Sequence, residues 1–65
     1  MIVITMEPQG ETVAFDRLNT VQQLLNRLGL GRNDALVIRG GRLLTPDVKL
    51  GRDDEIVVRP VGSRG

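Results

Sequence analysis

The sequence predicts an α+β domain: a mixed sheet of four to five strands packed on one main helix. Three features of the chain carry that expectation. Short β-branched runs recur along it, the apolar period changes near residue 20 from two to about 3.6, and a Gly-Gly pair sits between two short apolar runs.

Residues 1–6, Met-Ile-Val-Ile-Thr-Met, read as the first strand because β-branched side chains favour a pleated surface over a helix. Pro8, Gln9 and Gly10 then supply turn chemistry. Residues 11–15 alternate charged or polar with apolar side chains, which puts Val13 and Phe15 on one face of a second strand, and a loop of about four residues suits an antiparallel hairpin. From Thr20 onward Val21, Leu24, Leu25 and Leu28 fall at i, i+3, i+4 and i+7, one apolar helical stripe. Thr20 with Gln23 three residues on forms a possible capping box. Gly29 and Gly31 mark the helix end, and Arg27 suits the negative pole of its dipole.

Residues 35–39 read as a third strand. Gly40-Gly41 reads as a tight turn, since positive φ at both central positions costs glycine nothing, and Arg42-Leu43-Leu44 follows as a short fourth strand. A phosphate-cradling role for the two glycines would require a helix N-terminus directly after them, which the sequence lacks. Residues 45–51, with Pro46 and Gly51, read as an irregular connection. Asp53, Asp54 and Glu55 form an acidic turn before Ile56-Val57-Val58, a last strand that Pro60 stops or confines to an edge. No internal repeat and no low-complexity segment is read. The order strand, strand, helix, strand, short strand, strand describes a β-grasp, the ubiquitin-like fold. Its expected core is one alternate set from the first strand with Val13, Phe15, Val21, Leu24, Leu25, Leu28, Leu36, Ile38, Leu44, Leu50, Ile56 and Val58.

Composition bounds the chemistry. With 65 residues, 40% apolar and 26% charged, there is room for one small domain, residues 1–60, and a tail, residues 61–65, too poor in apolar surface to hold itself in place. The chain has no Cys and no His, which removes disulfides, thiol nucleophiles, imidazole bases and the softer metal ligands. Catalysis would fall to carboxylates, Lys49 or hydroxyls. Asp53, Asp54 and Glu55 diverge from a turn rather than converge in a cleft, so no enzyme activity of the chain's own is expected. Nine basic against eight acidic side chains leave a net charge of +1, and Phe15 is the sole aromatic, so nucleic acid is not an expected partner. No run approaches the ~20 apolar residues of a membrane span, and no cationic-then-apolar leader opens the chain; a cytoplasmic location is expected.

Two features bear on function from the residues alone. A chain finishing in Gly65 after Gly62, Ser63 and Arg64 presents a carboxylate on a thin stalk with no Cβ at its tip, a terminus suited to be a reactant. The run Ile2-Val3-Ile4 puts apolar side chains on both faces of a sheet whose helix covers one. With Val3 and Thr5 inward, Ile2, Ile4 and Met6 would form an open partner-binding face with Val57, Arg59 and Val61, and with Leu43 nearby; with the opposite parity only Val3 is exposed. The arginines of the second half, Arg39, Arg42, Arg52, Arg59 and Arg64, would guide docking on an acidic partner or form a solvated surface.

Three segments resemble the ThiS/MoaD family of ubiquitin-like sulfur carriers: Thr20-Val21-Gln22-Gln23-Leu24-Leu25-Asn26-Arg27-Leu28-Gly29-Leu30, Val37-Ile38-Arg39-Gly40-Gly41-Arg42-Leu43-Leu44, and Arg52-Asp53-Asp54-Glu55-Ile56-Val57-Val58. Their order and spacing carry the likeness, which runs over essentially the whole chain. The resemblance implies a carrier, not an enzyme, whose Gly65 carboxylate is adenylated by an E1-like adenylyltransferase. A sulfur donor protein then converts it to a thiocarboxylate for a sulfur-accepting synthase, in thiamin (thiazole) synthesis or tRNA thiolation. ATP is used by the activating partner, and the carrier binds no cofactor or metal. The family ends in Gly-Gly, whereas Arg64 precedes Gly65 here. The alternatives are a ubiquitin-like interaction module that never reacts and the small subunit of a molybdopterin-type synthase.

Overall fold

A computed structural model describes residues 1–61. The elements run β1 (Ile2–Met6), β2 (Glu11–Phe15), α1 (Val21–Leu28), β3 (Ala35–Arg39), β4 (Arg42–Leu43) and β5 (Glu55–Pro60). They form an α+β fold, one five-stranded mixed sheet with strand order β2-β1-β5-β3-β4 and a single helix on one face. β1 and β5 run parallel at the centre, with Ile4 opposite Ile56 and Met6 opposite Val58; every other pair is antiparallel. The last strand therefore fills the middle of the sheet rather than an edge. No helix among the described residues is long and apolar enough to cross a membrane.

The helix forms where the apolar stripe places it, and both ends are capped. Thr20 is extended (φ −135°, ψ 166°), and its hydroxyl oxygen accepts the Gln23 N–H at 3.3 Å. The Gln23 side chain reaches back one residue further than the usual box, accepting the Asn19 N–H at 2.6 Å. At the other end Gly29 is left-handed (φ 74°). Its N–H and that of Leu30 donate to the carbonyls of Asn26 and Leu25, a Schellman motif. Arg27 lies in the last turn, over the Phe15 ring at 5.9 Å.

The core consists of Ile2, Ile4, Leu18, Val21, Leu24, Leu25, Ala35, Val37, Ile56 and Val58, with Met6, Phe15, Leu28, Leu30, Leu44, Val48 and Leu50 packed against it. Two strand faces differ from expectation. Ile2 (1% exposed) and Ile4 (0%) point under the helix and Val3 (36%) points out, so Ile2, Ile4 and Met6 do not form an open face. The reason is area: the inward set of two isoleucines and a methionine removes more apolar surface from water than Val3 with Thr5, and leaves no hydroxyl to satisfy. In β3 the buried pair is Ala35 and Val37. Leu36 (38% exposed) and the half-buried Ile38 lie on the other face, because Val37 is registered against the buried Val58. Val13 lies opposite Ile4 on the core side, but on the outermost strand, and stays 39% exposed.

One more feature corrects the sequence reading, which found no repeat. Leu30-Gly31-Arg32-Asn33-Asp34 returns twenty positions later as Leu50-Gly51-Arg52-Asp53-Asp54, and each copy opens a strand, β3 and β5. Both copies fold alike. The leucine packs on the core, and an aspartate oxygen accepts the glycine N–H, at 2.8 Å from Asp34 to Gly31 and 2.6 Å from Asp54 to Gly51. The approach is closest at Gly31, where a Cβ would lie 2.8 Å from Asp34 Oδ2 and force that carboxylate to shift; at Gly51 a Cβ would make only ordinary contact, 3.4 Å from Asp54. A second pair of glycines serves the β3–β4 turn, where Gly40 and Gly41 both have positive φ (61° and 80°).

Candidate partner-binding face

With α1 on one side, the other side of the sheet is open, and cross-strand register lines up its residues. Thr12, Thr5, Val57, Ile38 and Leu43 stand opposite one another across all five strands, in the order β2-β1-β5-β3-β4. Val3 and Leu36 flank this row. Three of its members or neighbours are exposed apolar side chains: Val3, Leu36 and Leu43, the last at 66%. The face is thus apolar from β1 to β4. It includes Val57 and Leu43, both expected there from the sequence, and takes Val3, Leu36 and Ile38 in place of Ile2, Ile4 and Met6.

Arg59 emerges on this face opposite Leu36 and is held there. Its Nε and Nη2 both donate to Glu7 Oε1, at 3.0 and 2.8 Å, so the loop after β1 is tied to the end of β5. Two main-chain bonds continue the attachment: Glu7 N–H donates to Val58, and Val61 N–H to Asp34. Val61 is therefore fixed through its backbone while its side chain is 46% exposed. Gly62, Ser63, Arg64 and Gly65 lie outside the described residues.

At the opposite end of β5, Asp54 is the electrostatic centre. Its carboxylate accepts the Gly51 N–H and a bond from Arg39 Nη1 at 2.8 Å, which also donates to the Lys49 carbonyl. The Gly51 bond above all, then the Arg39 guanidinium, holds the Asp54 carboxyl below its usual range against the opposing effect of burial. Asp47 is lowered chiefly by the Thr45 hydroxyl. Both shifts arise within turns. No polar or charged side chain among the described residues is buried, so none of them offers a desolvated acid, base or nucleophile. The described surface carries an apolar sheet face beside the end of the central strand. No family model matches the chain, and no curated protein matches it.

Proposed function

We propose that this chain is a β-grasp sulfur carrier of the ThiS/MoaD type, in which Gly65 is the reacting residue and the open sheet face docks the activating enzyme. The observation that carries the reading is the position of β5. It is the central strand, parallel to β1, and it leads into residues 62–65 from beside an apolar face that a partner can grip while it works on the tail. A free carboxylate is a poor electrophile. Adenylation by an E1-like partner, with release of pyrophosphate from ATP, turns the Gly65 carbonyl into one that the outer sulfur of a donor persulfide attacks as AMP leaves; a thiol then cleaves the acyl disulfide, leaving the thiocarboxylate on Gly65 and a disulfide on the donor. The carrier needs no acid, base or metal ligand of its own for this. Val57, Ile38 and Leu43 supply the apolar centre of the docking face, and Arg59, braced by Glu7, a fixed charge at its margin.

Incubation with an E1-like adenylyltransferase, ATP and a sulfur donor is expected to raise the intact mass by the difference between sulfur and oxygen, localised to Gly65 by fragmentation. An unchanged mass with every such enzyme from the source genome overturns the reading. The second reading, an interaction module that never reacts, is favoured by one feature, the bulky Arg64 at a position where the family carries glycine. Deleting Gly65 separates the two: a module keeps its cellular role, a carrier loses it.

A further inference from the structure

At the end of the sheet where β5 begins, the β2–α1 loop and the segment before β5 line a cleft of about 230 Å³. Ile2, Leu18 and Leu50 form its floor; Arg17, Asn19 and Arg52 line its walls, and no carboxylate does. Neither arginine has an ion-pair partner among the described residues. The walls are fixed to one another, because Leu50 N–H donates to the Asn19 carbonyl at 2.9 Å and Gly51 N–H is taken by Asp54. Those main-chain donors are spent inside the protein. The side-chain donors that line the cleft are the two guanidiniums and the Asn19 amide, beside Ile2, Leu18 and Leu50. A second concavity, lined by Gln22, Arg32, Pro46 and Asp47, differs in that a carboxylate lines it together with its arginine.

We propose that the Arg17–Arg52 cleft is a socket for an acidic side chain of a partner protein, a glutamate presented on an exposed segment. A glutamate matches both halves of the site, with methylenes for the floor and a planar carboxylate for the guanidinium forks. A phosphate would satisfy the guanidiniums but has no methylenes to cover Ile2, Leu18 and Leu50. β5 is six residues long, so Pro60 at its far end lies ~20 Å from the cleft. The proposal does not rest on the carrier reading and survives its failure.

The test is a titration of the isotope-labelled chain with a capped tri-glutamate peptide, a matched tri-glutamine peptide and inorganic phosphate at constant ionic strength, following backbone amide resonances. Tri-glutamate is expected to move residues 17–19 and 50–52 above all others. Arg17→Ala with Arg52→Ala should weaken that response by about tenfold or more, and Arg17→Lys with Arg52→Lys by less. Because both arginines are exposed, the variants' resonance dispersion and melting point should match the parent. Equal shifts with tri-glutamine, shifts spread evenly over the other arginines, or a response to phosphate but not to tri-glutamate would each overturn the proposal.

Discussion

Asp54 joins three pieces of chain through one carboxylate: the turn at Gly51, the end of β3 at Arg39, and the start of β5. Its folded pKa lies below the value of about 3.8 that a free aspartate has, so its contribution to stability is complete above that value and is lost as pH falls through the lowered folded one. Asp54→Ala is expected to cost about 1–3 kcal/mol at neutral pH by urea denaturation, and progressively less as pH falls through the lowered folded value, where the parent loses the same bonds. A cost independent of pH would mean that the residue acts through packing alone. In the core, Ile4 and Val3 are neighbours in sequence with opposite fates. Ile4→Ala is expected to cost about 2–5 kcal/mol, a large share of a small domain's stability, whereas Val3→Ala should change the urea midpoint little. Comparable costs at the two positions would contradict the strand parity described above.

Among the elements, α1 is the one most fully written in the sequence. Its stripe, its Thr20 cap and its Gly29 stop each have a local cause, and each is found where that cause puts it. Thr20→Ala is expected to cost about 1 kcal/mol through the lost cap, and Gly29→Ala a similar amount through strain at φ 74°, both read as a lower melting temperature. The hairpin turn at Gly40-Gly41 was legible for the same reason, because a backbone demand selects the residue. Strand faces were not. Ile2-Val3-Ile4 and Leu36-Val37-Ile38 are continuous apolar runs, so alternation gives no parity, and long-range register against Ile56 and Val58 decides it. Leu18 was missed from the core because it lies in a loop, outside any period, and the paired Leu-Gly-Arg-x-Asp turns because five residues are too short for a search for structural repeats. The partner face was legible only in part. Val57 could be placed on it, while the side of β1 that contributes to it was inverted.

For the molecule as a whole, the core and the open apolar face lie on opposite sides of one sheet, so stability and the proposed docking should be separable by mutation. Leu43→Glu, on the open face and 66% exposed, is expected to leave the melting temperature almost unchanged while weakening capture by an activating partner about tenfold. Loss of both together would place Leu43 in the core. The central position of β5 has a kinetic corollary. Val3 is paired with Glu55, a contact spanning most of the chain, and β1 is joined to β3 only through this late-arriving strand. A nascent polypeptide lacking residues 55–60 has two strands with nothing between them, so the sheet closes only after that stretch has been synthesised. A product broken off earlier exposes unpaired edges to chaperones and proteases, and any binder that requires the assembled face will ignore it.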